Sequence, residues 1–113
     1  MKGIGTDIIS IDRIRKIKNR DAFARKILSE QERTIYEAFA HEQRRVEYLA
    51  GRFAVKEALY KAAPAFCQGK SYQDFSILND EIGKPYLLAP NMGKIHLSLS
   101  HCRDYAVAFV VVE

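Results

Sequence analysis

The sequence predicts an α+β domain in which one long helix lies on a mostly antiparallel sheet. Three observations lead there. Residues 42–63 carry the longest helical signal, residues 95–100 alternate strictly between apolar and polar, and residues 105–112 are an apolar, β-branched run. With 113 residues, 48% hydrophobic and 28% charged, the chain reads as one folded domain spanning residues 1–113. A domain of this size buries roughly 65% of the surface its unfolded chain exposes, so support from a partner subunit is expected.

The elements follow in order. Ile4, Thr6, Ile8 and Ile9, set among glycines, predict an opening strand that ends near Asp7–Ser10. A helix starts at Ser10-Ile11-Asp12-Arg13, with Ile11, Ile14 and Ile17 at helical spacing, and Phe23, Ile27 and Leu28 continue the apolar stripe. Ser29 followed by Glu32 is a capping box and opens a second helix running to about Phe39. The long helix places Val46, Leu49, Phe53, Ala54, Leu59 and Ala62 inward and stops at Pro64, which lacks the N–H needed to extend it. Phe75–Leu78 and Tyr86–Leu88 read as a strand pair joined by a turn at Asn79–Pro85. Ile95, Leu97 and Leu99 alternate with His96, Ser98 and Ser100, a half-buried strand with one polar face. After a turn at His101–Asp104, Tyr105–Val112 forms the central strand of a sheet.

Composition excludes several classes. No apolar run approaches the ~20 residues of a membrane-spanning helix, and the early Asp7 argues against a signal peptide, so a soluble cytoplasmic protein is expected. Cys67 and Cys102 are far apart and read as two reduced thiols, and three scattered histidines do not make a zinc site. The net charge of +4 is concentrated at the front: residues 1–28 hold eight basic against three acidic groups, while the rest hold ten against eleven. Such a cluster raises encounter rates with acidic partners. A nucleic-acid-binding module would show aromatic interleaving or a second basic stripe, and neither is present.

Three segments carry polar groups that packing alone explains poorly. Gly3-Ile4-Gly5-Thr6-Asp7 places two glycines in a strand, which makes sense where another backbone or a ligand approaches closely, and Asp7 ends that stretch. By itself Gly-x-Gly fits a turn or bulge equally well. In residues 53–61, Glu57 and Lys61 stand one helical turn apart; alone, that is a surface pair worth ~0.2–0.5 kcal/mol. The neighbouring stripe Ala50, Ala54, Ala58 and Ala62 lets this helix lie close to a sheet or a second subunit. Ser98-Leu99-Ser100-His101 puts hydroxyls and a histidine at a strand end, suited to hydrogen-bonding a phosphate. Adjacent strand residues point apart, so Ser100 and His101 are not a nucleophilic pair. Asp7 and Glu57 are too few oxygens for calcium and suit Mg²⁺, which keeps several waters and takes other ligands from phosphates.

These residues resemble a known family, the holo-acyl-carrier-protein synthases, small bacterial 4′-phosphopantetheinyl transferases. The resemblance covers essentially the whole chain. It rests on Gly-Ile-Gly-Thr-Asp at 3–7, Ala50-Gly51-Arg52-Phe53-Ala54-Val55-Lys56-Glu57-Ala58 with Lys61, Gly83-Lys84-Pro85, and Ser100-His101 before a final apolar strand. It implies the 4′-phosphopantetheinyl transferase fold and a Mg²⁺-dependent enzyme of fatty acid biosynthesis. In the implied reaction a serine of apo acyl carrier protein attacks coenzyme A, takes phosphopantetheine and releases 3′,5′-ADP. Asp7 and Glu57 would be metal ligands, with Glu57 and Lys61 catalytic. The serine proton would go to Glu57 or to a metal-bound water. Arg44, Arg52, Lys61, Ser100 and His101 would bind coenzyme A. Arg13, Arg15, Lys16, Arg20 and Arg25, with Ile17 and Phe23, would receive the acidic carrier protein on the first helix. Family members are homotrimers with sites between subunits. One departure stands out: where the family has a glycine-rich loop after the long helix, this chain reads Ala62-Ala63-Pro64-Ala65-Phe66-Cys67-Gln68-Gly69.

Overall fold

A 21-residue helix, α4 (Glu42–Ala62), organises the molecule, because its middle is covered on every side. Leu49, Ala50, Ala54, Val55, Ala58 and Leu59 are fully buried, and so, unusually, is Lys56. The computed structural model describes residues 2–89 and 94–113. Before α4 come β1 (Gly3–Ser10), α1 (Ile11–Arg15), α2 (Arg20–Ile27) and α3 (Glu30–Ala38). After it come α5 (Pro64–Cys67), a 3-10 turn at Tyr72–Asp74, β2 (Ser76–Asn79), β3 (Pro85–Leu88), β4 (Ile95–His101) and β5 (Tyr105–Val112).

The architecture is α+β, with every strand pair antiparallel, but the strands form two sheets rather than one. β5 lies between β1 and β4 in a three-stranded sheet, and β2 pairs with β3 separately. The helix expected from Ser10 onward is also divided. Ser10 caps α1 by accepting from the Arg13 N–H, and Asn19 then caps α2 by accepting from the Ala22 N–H at 3.1 Å. The capping box holds as read: Ser29 N–H donates to Glu32 Oε1 at 2.9 Å and Glu32 N–H to Ser29 Oγ at 3.2 Å. Pro64 ends α4 and becomes the first residue of α5, where a missing N–H costs nothing.

The glycines of β1 now have a cause. An added Cβ at Gly3 would collide with the carbonyl oxygen of Ala62, and one at Gly5 with that of Ala58. The strand backbone rests directly on the helix backbone, so the alanine stripe faces the chain's own sheet, not a second subunit. Sheet register puts Gly3, Gly5, Asp7 and Ile9 opposite Val112, Val110, Ala108 and Ala106 on that helix-facing side. The other face is uncovered: Ile4, Ile8, Tyr105, Val107 and Phe109 are all exposed, with Ile8 61% accessible. Among the described residues no helix is long and apolar enough to cross a membrane. Cys67 is buried and Cys102 exposed, and both are free.

Candidate active site

β1 and α4 run in opposite directions, so two strand residues advance about as far as one helical turn. Gly3 meets Ala62, Gly5 meets Ala58, and the next helix-facing residue, Asp7, advances toward the preceding turn of α4, still within reach of the long Lys61 side chain. Lys61 Nζ reaches across to Asp7 Oδ1 at 3.1 Å and to the Thr6 carbonyl at 3.0 Å. Asp7 Oδ2 is buried and has no hydrogen-bond partner among the described residues. A buried carboxylate oxygen without a donor is costly unless a cation or water completes it. Glu57 is half-buried and accepts a hydrogen bond on Oε1 from the Tyr72 hydroxyl at 2.5 Å. Burial, then the Glu57 carboxylate, hold the Tyr72 phenol well above its ordinary pKa, so it stays a donor. Among the described residues no three His, Cys, Asp or Glu side chains cluster to make a metal site from protein alone. Two carboxylates, one with an orphaned buried oxygen, fit a cation such as Mg²⁺ that keeps most of its waters.

The basic candidates gather elsewhere. Arg44, Arg52 and His101 line one cavity of about 500 Å³ together with Tyr48, Asn79, Gly83 and Pro85. This unites three of the residues expected to bind nucleotide phosphates with Gly83 and Pro85 of the Gly83-Lys84-Pro85 motif. Arg44 lies over the Phe39 ring, 4.8 Å from its centroid. Arg52 is only 4% exposed and is committed to the fold. Its Nε donates to the Ile77 carbonyl at 3.1 Å, one Nη to Asn79 Oδ1 at 3.4 Å, and its guanidinium sits 4.3 Å from the Tyr48 ring centroid. Burial pushes the Tyr48 phenol up to about 12. Ser100 does not join this cavity. It pairs with Val107 on the open face of the sheet, while His101 pairs with Ala106 on the helix-facing side. Lys61 is not part of the cavity either. Glu57 and Lys61 leave α4 roughly half a turn around from Arg44, Tyr48 and Arg52, with centres about 16 Å apart along the axis. One chain thus presents an acidic half-site and a basic half-site on opposite flanks of α4.

The carrier-protein candidates divide by their partners. Arg15 bonds Asp12 at 3.2 Å and Gln43, Lys16 bonds Asp12 at 2.9 Å, and Arg20 bonds Glu42 at 2.5 Å. Lys16 holds the Asp12 carboxyl below its ordinary pKa, as Arg20 does Glu42. Arg13 and Arg25 are exposed and make no ion pair among the described residues. Phe23 is half-buried and meets Phe53 edge-on at 5.3 Å, and Ile17 also packs against the core, so both give much of their surface to the fold.

Residue reading missed the group beneath the acidic half-site. Lys56 Nζ donates to Glu32 Oε1, to the Ile27 carbonyl at 2.7 Å and to the Tyr72 carbonyl at 3.0 Å, using all three of its hydrogens. Desolvation holds the Lys56 pKa below its ordinary value, against the pull of Glu32. Glu32 Oε2 also accepts from the Ile77 N–H at 2.7 Å. This buried pair ties α2, α3, α4, β2 and the 3-10 turn together. The available signal was Glu32, whose capping role already placed a carboxylate at the start of α3.

A helix-borne acid and lysine beside a strand-borne aspartate, with a separate arginine- and histidine-lined cavity, describe a protein that handles phosphates. The profile of the 4′-phosphopantetheinyl transferase superfamily matches residues 3–110, and the chain belongs to that family. Within it the chain is 46% identical, over 112 residues, to a holo-[acyl-carrier-protein] synthase of Acholeplasma laidlawii, covering 97% of this chain and 94% of that one. It is 44% identical to the synthase of Staphylococcus carnosus over 113 residues, covering 98% and 96%. Among solved structures it is similar to a Bacillus anthracis holo-(acyl-carrier-protein) synthase in complex with CoA (3′,5′-ADP). That similarity has a TM-score of 0.83 and 40% identity, over 99% of this chain and 96% of that one.

Proposed function

We propose that this chain is a cytoplasmic holo-[acyl-carrier-protein] synthase, a single transferase domain that moves 4′-phosphopantetheine from coenzyme A to a serine of apo acyl carrier protein. The observation that carries the reading is the acidic half-site: Asp7 has a buried Oδ2 without a partner among the described residues, and its Oδ1 accepts from Lys61, one helical turn from Glu57, across the β1–α4 contact. Asp7 and Glu57 would hold Mg²⁺, which when bound draws negative charge off the coenzyme A diphosphate. The serine oxygen forms a new bond to the phosphorus bearing pantetheine and gives up its proton to the Glu57 carboxylate or to a water molecule. The bond from that phosphorus to the bridging oxygen breaks, and 3′,5′-ADP leaves with the electron pair. Lys61, held by Asp7 and the Thr6 carbonyl, neutralises charge growing on the departing phosphate. Arg44 and His101 bind the nucleotide phosphates from their cavity, and Arg52 shapes its wall. The loop from Ala62 to Gly69, shaped by Pro64 and the short α5, replaces the glycine-rich loop of the family beside the nucleotide.

The two half-sites point away from each other, so the complete site takes one from each of two neighbouring copies. The uncovered sheet face of Ile4, Ile8, Tyr105, Val107 and Phe109 is the surface on which a homotrimer would close. The Ser100 hydroxyl lies on that face too, where it would serve between subunits. The exposed basic residues Arg13 and Arg25 receive the acidic carrier protein. The experiment is direct: incubate the protein with apo carrier protein, coenzyme A and Mg²⁺, and read the phosphopantetheine adduct by mass spectrometry. EDTA or Asp7→Ala should abolish the adduct. Its absence with every carrier protein tried would overturn the proposal.

A further inference from the structure

The geometry points to Tyr72 as a positioning residue that fixes the Glu57 carboxylate for its cation, an inference that rests on the metal reading above. Two consecutive residues of α4 grip Tyr72 from different sides. Lys56 Nζ donates to its backbone carbonyl at 3.0 Å, and Glu57 Oε1 accepts from its hydroxyl. Its ring is wedged between Phe53 and Tyr60, with centroids 5.8 and 5.2 Å away. The turn carrying it is closed by the Ser71 N–H donating to Asp74 Oδ2 at 2.8 Å. Lys56 is itself immobilised by the buried Glu32 carboxylate. A side chain tied at its backbone, its ring and its hydroxyl has little freedom, and it passes that order to whatever it bonds.

Tyr72 is the one side-chain donor to Glu57 among the described residues. It occupies Oε1 and leaves Oε2 as the oxygen to offer. Groups that hydrogen-bond a ligating carboxylate orient it, and losing one typically costs 10–100-fold in metal affinity. Removing only the hydroxyl keeps the aromatic packing, so Tyr72→Phe isolates the effect.

The test titrates Mn²⁺ into wild type and Tyr72→Phe at fixed coenzyme A. Free Mn²⁺ is read from its EPR signal and corrected for what coenzyme A alone binds. Tyr60→Phe, which removes a hydroxyl that donates to the Lys70 carbonyl and not to Glu57, serves as the control. The expected result is about tenfold or greater weakening for Tyr72→Phe and none for Tyr60→Phe. The transfer rate of Tyr72→Phe should recover as Mn²⁺ is raised. Equal affinity in Tyr72→Phe and wild type, or equal weakening in both variants, would overturn the inference and leave the metal reading intact. No protein-dependent Mn²⁺ uptake by wild type would overturn the metal reading and this inference with it.

Discussion

Substituting Gly5 by alanine tests how packing places the acidic half-site. An ideal Cβ at Gly5 would stand 2.1 Å from the Ala58 carbonyl oxygen and 2.9 Å from the Ala62 nitrogen. Real Cβ atoms essentially never approach within 3.0 Å, so strand and helix must part by about 0.9 Å. The neighbour is backbone and has no rotamer to change. Retreat of α4 is opposed on its far side by the Arg52 and Lys56 bonds to Ile77 and Tyr72. Overpacking of this kind costs about 1–3 kcal/mol, and a rigid neighbour puts the cost near the upper end. The lower entropy of an unfolded alanine offsets about 0.4–1 kcal/mol. The net expectation is a loss of about 2 kcal/mol, or roughly 8 °C in Tm for a domain of this length. Urea unfolding at fixed protein concentration should show a lower midpoint with an unchanged slope. Asp7 follows two residues later on the same face, so Mn²⁺ affinity should fall in the folded variant as well. A Gly5→Ala protein as stable as wild type would refute the packing account. One that is destabilised but binds Mn²⁺ normally would refute the link from glycine to Asp7.

Two further outcomes follow from single side chains. Arg13→Glu should raise KM for the acidic carrier protein, flatten its salt dependence and leave KM for coenzyme A nearly unchanged; an unaltered, salt-insensitive carrier KM would remove Arg13 from the docking surface. Tyr48→Phe deletes a buried hydroxyl without a hydrogen-bond partner among the described residues, so stability should hold or rise by up to about 1 kcal/mol, with the ring still under Arg52. Between pH 10, where an unfolded tyrosine ionises, and about 12, where Tyr48 does in the fold, the native state alone keeps that proton. Stability present below pH 10 is therefore lost across this window in wild type and should fall less steeply in Tyr48→Phe; equal slopes would contradict the assignment.

What the sequence made legible is local or periodic. The strand at 95–100 announced itself by alternation, the strand at 105–112 by its β-branched run and the long helix by its spacing, while Gly3-x-Gly5-x-Asp7 fitted a turn or bulge as well as a close approach followed by an acid. The identity of what approached was not legible, because a glycine reports missing volume and not its occupant. The break between α1 and α2 was hidden for a similar reason: the apolar stripe runs on through Ile17 and Phe23, and only the Asn19 side chain bonding Ala22 N–H shows the restart. Lys56 reads as a solvated charge in sequence, since burying an ammonium depends on three acceptors from distant segments. The same non-local logic conceals Tyr72. Ser100 and His101 adjoin in sequence yet stand on opposite faces, as period-two geometry requires.

If the half-sites combine only across a subunit boundary, two inactive variants should repair each other. Asp7→Ala lacks the acidic half and keeps the basic one; His101→Ala is the reverse. Mixed and allowed to exchange, they form hybrid rings in which some boundaries join the intact acidic half of one copy to the intact basic half of the next. In a closed ring, random mixing at equal amounts makes about one boundary in four fully intact, so transfer should recover to about a quarter of the wild-type rate. Each variant alone should stay near its own low rate at any concentration. A site completed within one chain gives no such recovery, because every chain then carries one lesion. Failure of the mixture to gain activity, with native mass spectrometry showing that hybrid assemblies have formed, would place the whole reaction on a single copy and refute the division of labour across α4.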